Sequence, residues 1–218
     1  MSKTFAVSGQ HYLFTVQAFA NAVLAAGGNN YSYALRDRTF EGIVADVQSG
    51  ASELGVIFRS PFIAKRVDEA LDQAGLEFHS LATSAPCVAL PAASHPLVHA
   101  KSLTIEDLAD YPYIYFEQEE GAPIEFAEEA FASIPREKRI ACTDRASLSE
   151  LICALNGYTI TSGILVGISD GSLLETIPLE TDAKLELGYV SKRDAVLTQI
   201  GQYFVSSLAR KLERYATK

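Results

Sequence analysis

Long apolar runs are missing from this chain of 218 residues, so no segment of membrane-spanning length is expected. The first residues, MSKTFAVSGQ, lack the apolar centre of a signal peptide, which leads us to expect a cytoplasmic chain. Cysteine is sparse and odd in number: Cys87, Cys142 and Cys153. That set points to reduced thiols used as small buried side chains. A redox pair of Cys142 and Cys153 is the alternative, with Arg139 and Arg145 its basic neighbours. A basic excess is also lacking. Lys plus Arg number 18 against 27 Asp plus Glu, a net charge of −9, which argues against nucleic-acid binding by this chain alone. His11, His79, His95 and His99 show no metal-ligand spacing, and no metal or cofactor is expected. There is no Gly-rich phosphate loop, no GxSxG and no CxxC. The acids of EQEEGAPIEFAEEAF could face one another as in a glycosidase. The simpler reading is a solvated helix with acids near its positive end, so no enzyme is expected.

What is present is an ordinary globular balance, 48% hydrophobic and 21% charged. The stretch SGASELGVIF shows how the chain is organised. Before it, TFEGIVADVQ reads as a helix, with Thr39 as N-cap, Glu41 at the positive end, and Ile43, Val44 and Val47 on one face. Gly50 stops that helix, and Leu54 to Phe58 forms a short buried strand. The strand TFAVS, the helix HYLFTVQAFANAVLAA, the strand NYSYALR and the helix and strand of PFIAKRVDEALDQAGLEFHSLA complete a β-α-β-α-β-α-β order. That order means a mostly parallel sheet with helices on its faces.

The pattern then restarts. APCVALP, YPYIYF, KRIACT and YTITSGIL read as strands; TIEDLAD, PIEFAEEAFASI and ASLSELICALNG read as helices. Thr104 and Asp107 form a capping arrangement at TIEDLAD. LLETIPL and KLELGYVSK are late strands, and DAVLTQIGQYFVSSLARKLERYA is a long C-terminal helix. Two α/β units without a linker suggest two lobes with a cleft between them.

Several pieces together resemble the effector-binding domain of LysR-type transcriptional regulators. They are the helix leading into SGASELGVIF, then HPLVHAKSLTIEDLADYPYIYFEQ, NGYTITSGIL, LETIPL and YVSKRDAVLTQIGQYFVSSL. The resemblance spans almost the whole chain, and SLTIEDLADYPYIYF after HPL is its most specific element. It implies an α/β fold of two Rossmann-like lobes with a ligand cleft, the type II periplasmic-binding-protein fold. Residues 1–83 and 189–218 would form the first lobe and 84–188 the second. It implies a homodimer that binds a small metabolite, with DNA reached only through an N-terminal winged helix-turn-helix outside these residues. A solute-binding protein of a transporter is the alternative on the same fold.

Ligand candidates follow from strand ends and from that resemblance. Ser8, Gly9 and Gln10 join the first strand to the first helix, where amides at a helix start would suit an anion. Phe58 and Arg59 end the third strand, and Thr83 and Ser84 stand where the chain crosses between lobes. Phe116 and Gln118 follow a second-lobe strand, and Gly121 precedes the next expected helix. Thr161 and Ser162 replace the apolar residue and proline found in many relatives, implying a more polar pocket. The expected ligand is anionic or zwitterionic.

Overall fold

A computed structural model describes residues 3–164 and 173–214. The expected ends of the YTITSGIL strand and of the C-terminal helix fall outside these described residues. The first sheet has five strands in the order β2-β1-β3-β10-β4. These are β1 (Lys3–Gly9), β2 (Tyr31–Asp37), β3 (Leu54–Arg59), β4 (Leu76–Ser84) and β10 (Leu185–Lys192). Strand β1 runs parallel to β2 and β3, whereas β10 is antiparallel to both of its neighbours. The sheet is thus mixed, because its last strand enters from the other lobe.

Helices cover both faces. Helices α1 (Leu13–Ala26) and α5 (Gln199–Glu213) bury Phe14, Ala18, Phe204 and Leu208 on one side. Helices α2 (Phe40–Ser49) and α3 (Ala64–Gln73) bury Ile43, Val47, Val67 and Leu71 on the other. Strand β3 serves both: Leu54, Val56 and Phe58 face the first cluster and Ile57 the second, as side-chain alternation requires. The caps read from sequence are present. Thr39 Oγ1 accepts from Gly42 N at 3.3 Å, and Gly50 closes α2 with φ 81°. Helix α5 starts later than its pattern suggested. Thr198 Oγ1 accepts from Gly201 N at 3.2 Å, while Asp194 sits in the left-handed region at φ 58°.

In the second lobe, β5 (Cys87–Pro91) lies between β8 (Thr159–Thr161) and β9 (Leu174–Pro178), antiparallel to both. Strands β6 (Tyr113–Phe116) and β7 (Arg139–Cys142) pair in parallel. A bridge from Tyr113 to Tyr158 ties this pair to the rest, with Ile114 N donating to Tyr158 O at 2.8 Å. Helix α4 (Arg145–Leu155) is capped by Asp144, whose carboxylate accepts from Ser147 N at 2.9 Å. Thr104 and Asp107 hold each other reciprocally at 2.8 and 3.3 Å, though only a 3-10 turn, Glu106–Leu108, follows. The chain passes between the sheets after Ser84 and again before Leu185. No described helix is long and apolar enough to cross a membrane.

One expected element is overturned. The acidic segment PIEFAEEAFASI is not a solvated helix: only Ile124–Phe126 makes a single 3-10 turn. Ala127 is extended at ψ 143° and Phe131 has a φ of 62°, so the segment turns back into the protein. Glu128 and Glu129 are 8% and 5% exposed. The reason lies in their partners, since both carboxylates accept hydrogen bonds from backbone N–H groups of other elements.

Candidate functional site

The turn between β1 and α1 meets the acidic segment across the interlobe cleft. His11 N donates to Glu128 Oε1 at 2.7 Å, and the His11 ring Nδ1 lies 2.7 Å from Glu128 Oε2. The ring stacks on Phe116 of the second lobe, with centroids 3.9 Å apart and planes 8° from parallel. Next door, Glu129 Oε1 accepts from Phe116 N at 2.7 Å. Its other oxygen, Oε2, is buried and has no partner among the described residues.

Further contacts brace the lobes. At the end of β2, Asp37 forms a forked ion pair with Arg145 at the start of α4, at 2.9 and 3.2 Å. Thr39 Oγ1 donates to Glu119 Oε1 at 3.2 Å, and Phe40 packs on Phe126 with centroids 4.4 Å apart. The lobes are therefore closed on each other through polar as well as apolar contacts.

Two chambers remain in the cleft, with the segment carrying Glu129 and Ala130 between them. The inner one, of about 90 Å³, is walled by Tyr12, Phe116, Ile160, Leu174 and Leu185, with polar atoms from Glu128, Glu129, Thr159, Thr161 and Ser162. The outer one, of about 410 Å³, lies between Phe58, Ser60 and Phe62 on one side and Ala127 and Glu129 to Ser133 on the other.

Burial sets the electrostatics here. The Glu129 carboxyl is pushed up to about 8, first by burial and then by the neighbouring Glu128 charge. Burial also raises Glu128, against the pull of His11. Burial alone would lower His11, but the hydrogen bond and charge of Glu128 outweigh it and raise the imidazole. Cys142 is driven up to about 11 by burial, with Glu129 and Asp144 adding to it, so its thiol is protonated at neutral pH. Among the described residues no group of three or more His, Cys, Asp or Glu could hold a metal ion.

The residues singled out from sequence are distributed unevenly around this cleft. Phe116, Thr161 and Ser162 line the inner chamber and Phe58 the outer one. Ser8 and Gly9 lie inside β1, ahead of the start of α1 at Leu13. The Ser8 hydroxyl donates to Asp46 Oδ2 at 2.6 Å and lies 2.8 Å from Ser52 Oγ, so it is engaged with α2 and the loop after it. Gln10 Oε1 accepts from Phe58 N at 3.0 Å. Arg59 is held by Asp68 at 2.7 Å and Glu186 at 2.6 Å, over the ring of Phe78. Thr83 pairs in the sheet with Glu186, and Ser84 Oγ is buried without a partner among the described residues. Gln118 Nε2 donates to Phe116 O at 3.0 Å, and Gly121 takes a positive φ of 77° in the turn ahead of the segment expected to be a helix.

Sequence reasoning passed over His11, Glu128, Glu129, Arg145 and Thr159. A signal was there: in FAEEAF two acids are enclosed by apolar residues on both sides. Such an arrangement suits burial better than a solvated helix face.

Two α/β lobes linked by two crossing strands, with a closed cleft of mixed polarity between them, define a bilobal ligand-binding domain. The chain belongs to the LysR substrate binding domain family, whose model matches residues 30–213. That membership favours the regulator over the transporter alternative. No curated protein matches the chain. Among solved structures it resembles the reduced OxyR regulatory domain from Pseudomonas aeruginosa at 12% identity and a TM-score of 0.68, covering 96% of this chain and 98% of that one. It also resembles HinK, a LysR family transcriptional regulator from Pseudomonas aeruginosa, at 15% identity and a TM-score of 0.65, covering 97% and 70%. The effector binding domain of QuiR in complex with shikimate aligns at 13% identity and a TM-score of 0.61, covering all of both chains. These likenesses establish the two-lobe fold of LysR effector-binding domains.

Proposed function

We propose that this domain senses a small metabolite held between its lobes and passes the resulting change in lobe angle to a DNA-reading domain on a longer cytoplasmic chain. The lobes would be residues 1–83 with 189–218, and 84–188, with Ser84 and residues 185–188 of the crossing strands also pairing in the first sheet. The observation that carries the reading is the junction of His11 with Phe116, Glu128 and Glu129, where both lobes share buried polar contacts beside a chamber. A ligand that favours one closure state shifts the equilibrium between closed and open lobes. Of the anionic and zwitterionic ligands expected from sequence, the two buried carboxylates support the zwitterion.

A homodimer fits the surface of α1, where Leu24 is 79% exposed; Tyr31 at the start of β2 is half-exposed. The net charge of −9 supports leaving DNA contact to another domain.

A thermal-shift screen over amino acids, organic acids and sulfur metabolites tests the reading. A ligand at a hundred times its Kd should add about 2.7 kcal/mol of stability. Its contacts should map to residues of both lobes. A stabilising metabolite whose contacts lay wholly outside the cleft would overturn the assignment.

A further inference from the structure

Glu129 is a buried carboxylate with half of its hydrogen-bonding capacity unspent. Oε1 accepts from Phe116 N, while Oε2 has no partner among the described residues, and Glu129 lines the inner chamber. A second buried acceptor belongs to a residue lining the same chamber: Thr159 is 6% exposed and its Oγ1 also has no partner among the described residues. Such groups are normally satisfied, so two unspent ones beside one small chamber point to a bound partner.

The titratable groups facing Glu129 decide what kind of partner. The charged ones are Glu128 beside it and Arg136; Tyr12 from the turn before α1, Tyr113 on β6 and Cys142 at the end of β7 are neutral titratable neighbours. The cations in the vicinity are already engaged. Arg136 donates to Tyr158 Oη at 3.1 Å and to the carbonyls of Phe131 and Ile134 at 2.9 and 2.8 Å, and lies over the Tyr113 ring. His11 is paired with Glu128, and Arg145 with Asp37. No ion pair among the described residues neutralises Glu129.

We propose that the cleft recognises a protonated amine on a small organic effector, the ammonium group donating to Glu129 Oε2 and Thr159 Oγ1. This rests on the cleft being the effector site. The chamber's walls at Phe116, Ile160, Leu174 and Leu185 accept the carbon skeleton. In the free domain at neutral pH, Glu129 holds a proton instead, and binding of the ammonium group expels it.

Three probes of matched skeleton test this on the isotopically labelled chain: isobutylamine, isobutanol and isobutyrate. The amide signals of Phe116, Ala130 and Thr159 are followed by NMR at about pH 6.5 and about pH 8.5. Isobutylamine should shift them saturably, at least about tenfold more tightly than the other two, and more tightly at the higher pH. Glu129→Gln should weaken amine binding by about ten- to hundredfold and abolish its pH dependence. Thr159→Val, which keeps the shape of the side chain, should weaken it by a smaller factor and guards against a folding defect in the first variant. Equal or tighter binding of the alcohol or the carboxylate overturns the amine assignment while leaving the cleft as the effector site. So does amine binding untouched by both substitutions, or no shift with isobutylamine. The cleft itself fails only if the metabolite screen maps every ligand elsewhere.

Discussion

The His11 imidazole lies flat on the Phe116 ring, 3.9 Å between centroids, while its Nδ1 reaches Glu128 Oε2 at 2.7 Å. One side chain of the first lobe is thus clamped by an aromatic face and a buried carboxylate of the second. The contact couples lobe closure to the state of an ionisable pair.

Removing the ring should therefore weaken the closed form. In His11→Ala, Glu128 keeps only the backbone N–H of residue 11 among its present partners and stays in a site where its side chain is 7% exposed. A loss of about 3 kcal/mol is expected from breaking a buried pair on one side. Urea denaturation of wild type and variant measures it. A change below about 0.5 kcal/mol, the range of an ordinary surface substitution, would remove the pair from the account of closure.

Stability should fall as pH rises above the acidic range. The Glu129 carboxyl is moved from an ordinary 4.5 to about 8 in the folded chain. Between those values the folded state holds one more proton than the unfolded state, so raising the pH favours unfolding. His11 acts in the same direction. Its pKa is raised above 6.5, so its contribution is complete below that value and lost as pH rises through the folded pKa. Glu129→Gln should flatten the decline and be more stable than wild type above pH 8, by on the order of 2–4 kcal/mol. Urea midpoints across the range decide it; parallel profiles for the two proteins would contradict the burial argument.

Ser8 offers a separate test. Its hydroxyl links β1 to Asp46 on α2 and to Ser52, and the residue is fully buried. Ser8→Ala should destabilise the chain by about 1–2 kcal/mol, because the Asp46 carboxylate and the Ser52 hydroxyl each lose a partner. Calorimetric unfolding reads the stability, and titration with a ligand found in the screen reads the affinity. Lost affinity with unchanged stability would place the hydroxyl on the ligand instead.

Gly188 sits where β10 shifts register against β4. A Cβ there would collide with the His79 carbonyl oxygen, which belongs to the backbone and cannot swing aside. Gly188→Ala should cost on the order of 2–4 kcal/mol and act on the strand that joins the lobes. Circular dichroism melting curves check this. A melting temperature within about 2 °C of wild type would show that the sheet adapts.

Much of the architecture was legible in local pattern. Thr39, Gly50 and the face of Ile43 and Val47 announced α2, because capping and amphipathic spacing act within a few residues. The alternation of strand and helix marked two α/β units, and the resemblance supplied the lobes and their cleft. The chemistry of the cleft was far less visible. Thr161, Ser162, Phe116 and Phe58 could be placed at it because strand ends point there. His11 and Glu128 are separated by 117 residues, and no local rule links them.

By itself, then, the sequence determined most of the strands and the longer helices, and the acidic charge that argues against DNA binding by this domain. The state of FAEEAF was decided only in three dimensions. Acidic residues that favour a helix locally gave way to an irregular turn once backbone donors at His11 and Phe116 satisfied their carboxylates in the closed cleft. Those donors come from the β1–α1 turn and from β6, and only packing the lobes brings them to the same place. A solvent-exposed helix face became a buried pair of carboxylates, because hydrogen bonds reached across the fold outweighed the preference of the local chain.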